Sequence, residues 1–105
     1  MFPLLLFALF VAAPAPPNPL AAAKGEARCI AVSTHVRIAY PGYDHVVELR
    51  SACEKAARCL VATNVDPQPR AVDVAPGADV EVLMRRGSPA REFTAEVSCS
   101  FAAAR

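Results

Sequence analysis

Four cysteines constrain this chain more than any other feature of its sequence. They are Cys29, Cys53, Cys59 and Cys99. They follow an apolar N-terminus typical of exported proteins, and an even number of cysteines in a short exported chain indicates disulfide bonds rather than reactive thiols. We therefore expect a small secreted or periplasmic domain that contains two disulfides.

The first 23 residues have the character of a signal peptide followed by a proline-rich linker. Residues 2–13 are almost wholly apolar. This run is too short to cross a bilayer, which needs about 20 apolar residues, but it matches the apolar core of a secretory signal. Four prolines follow between residues 14 and 19. We predict cleavage after Ala23. The mature chain would then be one domain of residues 24–105 with no membrane span. The alternative is that the N-terminus is not cleaved and acts as an anchor.

Charge is balanced over residues 24–105. This part holds all 11 basic and all 10 acidic residues, with the two signs interspersed. A nucleic-acid or membrane surface needs a one-sided basic patch, so we expect neither kind of binding. The excess of arginine over lysine and the abundance of alanine are typical of a GC-rich bacterial genome.

Apolar and polar residues alternate along most of the domain, which predicts β-strands with one buried face. The clearest run places Phe93, Ala95, Val97, Cys99 and Phe101 at every second position. Turn signals such as Pro41-Gly42 and Pro76-Gly77 separate the runs. We predict an all-β fold: a small antiparallel β-sandwich of about six or seven strands, immunoglobulin-like in its rhythm, with two disulfides.

The segment between Cys53 and Cys59 decides the predicted disulfide pairing. A hairpin would place these two cysteines opposite each other and leave Cys29 to bond with Cys99. A short helix beginning at Ser51 would instead hold Cys53 and Cys59 about 240° apart around its axis. We favour the hairpin, although Cys29 and Cys99 then have opposite inward and outward parity on their strands.

No recognisable catalytic or metal-binding pattern occurs in the sequence. We interpret His35 and His45, the two histidines, as surface or turn residues. Asp44 and Glu48 lie near His45, but there is no Gly-x-Ser-x-Gly elbow and no His-Glu-x-x-His. A copper site of the cupredoxin type needs a histidine after the ligand cysteine, and none follows Cys99. We expect no enzymatic activity, no cofactor and no bound metal.

One loop is the candidate for partner binding. Its residues are Arg86, Gly87, Ser88, Pro89 and Arg91. A rigid, proline-containing loop with cations on both sides suits an acidic partner or a protease cleft; the alternative is an ordinary solvated loop. We predict a non-enzymatic exported binding or structural module, at the cell envelope or outside the cell, whose partner is another protein or an envelope component. The second hypothesis is a secreted protease or hydrolase inhibitor that presents the loop from Gly87 to Glu92.

Two tyrosines flank the Pro41-Gly42 turn signal. We interpret Tyr40 and Tyr43 as packing at the edge of the core with their hydroxyls in water. The alternative is that they form a binding patch.

Several segments together resemble a family. They are residues 43–47, 53–59, 65–69, 74–77 and 87–93. Across residues 28–101 the chain resembles small exported bacterial β-sandwich proteins of unknown function from myxobacterial-type genomes. The resemblance implies export and the fold, and no activity, cofactor or site residue. The antibody-type cysteine–tryptophan–cysteine pattern is absent, because the chain has no tryptophan.

Overall fold

A computed structural model describes residues 21–102, which form seven β-strands in two antiparallel sheets. The strands are β1 (Ala21–Ala22), β2 (Ile30–Ala39), β3 (Gly42–Ser51), β4 (Ala57–Thr63), β5 (Arg70–Val74), β6 (Asp79–Ser88) and β7 (Ala95–Phe101). No helix occurs in this part of the chain. The predicted all-β sandwich with two disulfides is confirmed.

The two sheets have the strand orders β1-β2-β3-β6 and β5-β4-β7. β2 and β3 form a long hairpin in which Ile30 pairs with Ser51 and Ala39 with Gly42. Constant-type immunoglobulin domains place their first, second, fifth and fourth strands in the corresponding sheet. The likeness to such domains is therefore one of two-sheet architecture rather than of strand order.

Alternation along the strands places one face of each sheet in a shared core. The larger aliphatic members of the core are Ile30, Val32, Val47, Leu49, Val61, Val74, Val82, Met84 and Val97. Removing their apolar surface from water is the main term that favours folding, at about 25 cal/mol per Å². The alternating pattern read from the sequence is the pattern of burial in β4 and β7, whereas three consecutive residues of β3, His45, Val46 and Val47, are buried.

The disulfides join Cys29 to Cys53 and Cys59 to Cys99, so the predicted pairing was wrong. Cys29 and Cys53 flank the ends of β2 and β3, which the hairpin register brings together. Cys59 and Cys99 are direct partners in the β4–β7 register. The cysteines of the two bonds are 24 and 40 residues apart in sequence. By restricting the unfolded chain, bonds of this span stabilise the fold by about 3.5 and about 3.9 kcal/mol in the chain-entropy model.

The hairpin predicted between Cys53 and Cys59 is also absent. β3 ends at Ser51 in one sheet and β4 begins at Ala57 in the other, so residues 52–56 cross between the sheets. Cys53 therefore lies in the connection between the sheets, whereas Cys59 lies on β4. The helical alternative is not observed either.

The described residues include the last three of the segment predicted to be a signal peptide and linker. Ala21 and Ala22 pair with β2, and Ala23 is 3% exposed and donates its N–H to the Ile30 carbonyl. The next residue, Lys24, exchanges hydrogen bonds with β7, which covers the edge of that strand. The signal peptide itself lies outside the described residues, and the cleavage site stays a prediction.

Among residues 21–102 there is no helix of the length and apolarity needed to span a membrane.

Candidate functional site

The predicted binding loop connects the two sheets. We call residues 86–92 the Gly87 loop. It comprises the last three residues of β6 and the four residues that follow, and it leads toward β7. Arg86, Gly87, Pro89 and Arg91 are exposed, whereas Ser88 is 2% exposed. Four of the five predicted site residues therefore face solvent, and Ser88 fixes the base of the loop.

The side chain of His45 contacts the backbone of this loop. It lies on β3 and is fully buried, so the predicted surface or turn position was wrong. Nε2 lies 2.8 Å from the Ala90 carbonyl oxygen, and because a carbonyl only accepts, Nε2 donates. The imidazole also stacks on Phe93, with ring centroids 4.4 Å apart and planes 13° apart. One side chain thus contacts two residues at the far end of the loop.

Three further contacts fix the start of the loop. The Ala90 N–H donates to Ser88 Oγ at 3.1 Å, and the Gly87 N–H donates to Asp44 Oδ1 at 3.0 Å. Gly42 lies so close to Gly87 that a Cβ at position 42 would be 2.7 Å from the Gly87 carbonyl carbon and oxygen. Gly87 has φ of +62°, which favours glycine. The loop is held at both ends by side chains and backbone of β3.

An exposed apolar surface lies next to the Gly87 loop. Ser88 pairs with Tyr43 on β3, and Tyr43 pairs with Ile38 on β2, which places the three residues in one row across the sheet. Ile38 is 84% exposed and Tyr40, in the β2–β3 turn, is 95% exposed. The interpretation of Tyr40 as packing at the core edge was therefore wrong.

Three arginines in or next to the Gly87 loop have no partner for their charge among the residues that the structure describes. Arg85, Arg86 and Arg91 are exposed, and none of their side chains has an ion-pair or hydrogen-bond partner within residues 21–102. Three other arginines, by contrast, pair with acidic residues. Those pairs are Arg37–Glu81, Arg50–Glu48 and Arg58–Asp73.

A second group of polar side chains lies on the outer face of the four-stranded sheet. His35 on β2, Glu48 on β3 and Glu81 on β6 have potential ligand atoms within 4.8 Å of one another. The Arg37 guanidinium donates to Glu81 Oε2 at 2.6 Å. This hydrogen bond is the main cause that lowers the pKa of Glu81 below its usual value. Glu48 likewise accepts a hydrogen bond from Arg50 and raises the pKa of that guanidinium.

Sequence reasoning missed the burial of His45 and the grouping of His35 with two glutamates. His45 shares its parity on β3 with Val47 and Leu49, and this alternation was a signal for its burial. The grouping of His35 with two glutamates depends on the pairing of β3 with β6, which are far apart in sequence. No local pattern indicates that pairing.

No family model, curated protein or solved structure matches this chain.

Proposed function

We propose that this chain is a non-enzymatic exported module that binds an acidic protein partner of the cell envelope. The binding surface would comprise the Gly87 loop and the neighbouring β2–β3 turn with Ile38 and Tyr40. The observation that carries this proposal is the fixed loop, held by buried His45, that presents unpaired arginines beside exposed apolar side chains.

Three physical arguments favour binding at this surface. A loop already held in one conformation loses little entropy on association. Tyrosine and arginine are the residue types that most often dominate interface energies. Burial of large apolar side chains against a partner is favourable in proportion to the area removed from water, and Ile38 and Tyr40 are both largely exposed.

The unpaired arginines favour an acidic partner. Charged residues that complement a partner speed association and select against wrong partners. Arg86 and Arg91 lie at the two ends of the Gly87 loop with no acidic partner in the described part of the chain. An acidic surface would supply those partners.

Export is supported by the disulfides. Both are intramolecular, and no free cysteine remains among the described residues. Such bonds persist in the periplasm and outside the cell and are rare in a reducing cytosol. The proposed partner is therefore sought in the envelope.

The test is cross-linking and pull-down from envelope extracts of the source cells, quantified by mass spectrometry. A specific partner should be recovered with the unmodified chain and lost with Tyr40→Ser and with Arg91→Ala. Two variants serve as matched controls. Leu60→Ser alters an exposed apolar residue on the other sheet. Arg28→Ala alters an arginine that precedes β2, at the end of that strand opposite Ile38 and about 30 Å from it. Equal recovery with all four variants would refute the proposed surface.

Protease inhibition is the second candidate function. Arg91 is exposed directly after Ala90, whose carbonyl His45 holds in place, and a fixed exposed residue is what a protease cleft accepts. A basic residue selects trypsin-like enzymes, whose specificity pocket holds an aspartate. Inhibition of such an enzyme that Arg91→Ala abolishes and Arg28→Ala preserves would favour this function over envelope binding. A panel in which no protease is slowed would exclude it.

A further inference from the structure

The outer face of the four-stranded sheet brings one imidazole and two carboxylates together from three strands. Glu48 and Glu81 are direct partners in the β3–β6 register. His35 lies on β2, two residues along from Ser33, which is the partner of Glu48. We propose that His35, Glu48 and Glu81 bind a divalent transition-metal ion, with Zn²⁺ the best match to this set of donors.

The distances suit a shared ion better than direct contacts between the side chains. His35 Nε2 lies 3.9 Å from Glu81 Oε1, which is too long for a hydrogen bond. All three potential ligand atoms lie within 4.8 Å of one another. Zinc takes nitrogen and oxygen ligands at about 2.0–2.2 Å, so ligands around one ion lie about 3–3.5 Å apart. Small side-chain rotations would bring the three donors to that separation.

The neighbouring arginines orient the carboxylates and leave one oxygen of each for the ion. Arg37 occupies Oε2 of Glu81, and the other oxygen, Oε1, is the one nearest His35. Arg50 occupies Oε1 of Glu48, which leaves Oε2. Hydrogen-bonded ligand carboxylates are a regular feature of metal sites, because outer contacts fix the ligand geometry. Arg37 and Arg50 would act as positioning residues.

The donor types select the ion. A site of carboxylates alone suits Mg²⁺ or Ca²⁺, whereas an imidazole shifts the preference toward Zn²⁺, Ni²⁺ or Cu²⁺. Like charges that lie directly opposite each other destabilise a sheet, so a cation between Glu48 and Glu81 also offsets their repulsion. Three protein ligands on an open face leave a further coordination position for water or for a side chain of another molecule. The site uses no residue of the Gly87 loop, so it stands independently of the proposed partner binding.

The experiment is an NMR and calorimetric titration of the oxidised chain with Zn²⁺ alone. The two histidines provide an internal comparison: saturating Zn²⁺ should shift the ring resonances of His35 and leave those of buried His45 unchanged. Calorimetry should give one ion per chain. Binding should weaken at least tenfold in His35→Gln and in Glu81→Gln.

The matched control is Asp79→Asn, which removes an exposed carboxylate two residues from Glu81 on the same strand. It should bind Zn²⁺ as the unmodified chain does. Because all the altered side chains are at least partly exposed, the variants should keep the fold, and their amide spectra verify this directly. Absence of saturable binding, or equal affinity in His35→Gln and the unmodified chain, would overturn the proposal.

Discussion

Buried His45 donates a hydrogen bond from Nε2 to the carbonyl oxygen of Ala90, 2.8 Å away. This contact ties β3, inside one sheet, to the loop that leads into the other sheet. Phe93 stacks on the same imidazole, so the ring supports both the backbone and a side chain of that connection. Among the described residues, Nδ1 of this ring has no hydrogen-bond partner. His45 is therefore a structural support for the Gly87 loop.

Replacement of His45 should destabilise the fold and loosen the loop. We expect His45→Ala to lower the free energy of unfolding by about 3–5 kcal/mol, since it removes a large buried ring. His45→Phe keeps a ring against Phe93 but leaves the Ala90 carbonyl unpaired, and should cost about 1–3 kcal/mol. Urea unfolding measures both, and hydrogen exchange at the Gly87 and Ala90 amides, which donate hydrogen bonds within this region, should accelerate in both variants.

His35→Ala is the control for the loss of a histidine. His35 is only partly buried, and surface substitutions change stability by about 0.5 kcal/mol or less. If His45→Ala behaved like His35→Ala, the supporting role of His45 would be wrong.

A side chain at position 42 should displace the Gly87 loop. The added methyl of Gly42→Ala would lie 2.7 Å from the Gly87 backbone, and overpacking of this kind costs about 1–3 kcal/mol. Amide chemical shifts of residues 86–92 should change throughout the loop. Gly77→Ala is a useful comparison, because φ at Gly77 is positive while the space around it is open. It should cost stability without altering the loop, and unchanged loop shifts in Gly42→Ala would contradict the close packing.

Strands such as β7 were predictable because they have one face in the core and one in solvent. In β7 the buried side chains of Val97 and Cys99 alternate with exposed Glu96 and Ser98, and the sequence displays that period directly. His45 has the same parity on β3 as Val47 and Leu49, so the alternation extends to a residue that we interpreted as a surface or turn histidine.

The connections between strands were not predictable from local pattern. Cys53 and Cys59 are close in sequence and suit a hairpin, yet the intervening residues cross from one sheet to the other. The opposite parity of Cys29 and Cys99 was the sequence signal against the predicted bond. The grouping of Glu48 with Glu81 depends on sheet order, which packing of the whole domain decides.

Peptide mapping without reduction should recover the pairs Cys29–Cys53 and Cys59–Cys99. Loss of either disulfide should lower stability, by about 3.5 kcal/mol for Cys29–Cys53 and about 3.9 kcal/mol for Cys59–Cys99 in the chain-entropy model. Paired alanine substitutions isolate each bond, and urea unfolding of each variant, with and without a reductant, measures its cost. Peptides that link Cys53 to Cys59 would contradict the structure.

The ion pair on the outer sheet face should be visible in the titration of Glu81. Arg37 lowers the pKa of this carboxyl, so Arg37→Gln should move it back toward its usual value. A lowered folded-state pKa contributes stability above the unfolded-state pKa, and that contribution is lost as the pH falls through the folded-state value. Carbon-detected NMR of the metal-free chain measures the shift. Arg58→Gln, which breaks an ion pair on the other sheet, should leave the pKa of Glu81 unchanged; an equal response to both variants would contradict the assignment.

The three alanines before Lys24 should contribute to the stability of the domain. Ala23 is buried and its N–H donates a hydrogen bond to the Ile30 carbonyl, while Ala21 and Ala22 pair with β2 and extend the sheet. A chain that begins at Lys24 loses one buried methyl, worth about 0.8 kcal/mol, and at least one hydrogen bond, worth about 1 kcal/mol.

We therefore expect the chain that begins at Lys24 to be about 1–2 kcal/mol less stable than one that begins at Ala21, as measured by urea unfolding. Ala22→Ser, at an exposed position, controls for a change of sequence without loss of burial. Equal stability of the two chains would agree with cleavage after Ala23, because the fold would then not need the alanines. A clear difference would favour an earlier cleavage site, since a mature domain that keeps Ala23 keeps the covering of β2, and intact mass of the exported protein identifies the terminus directly.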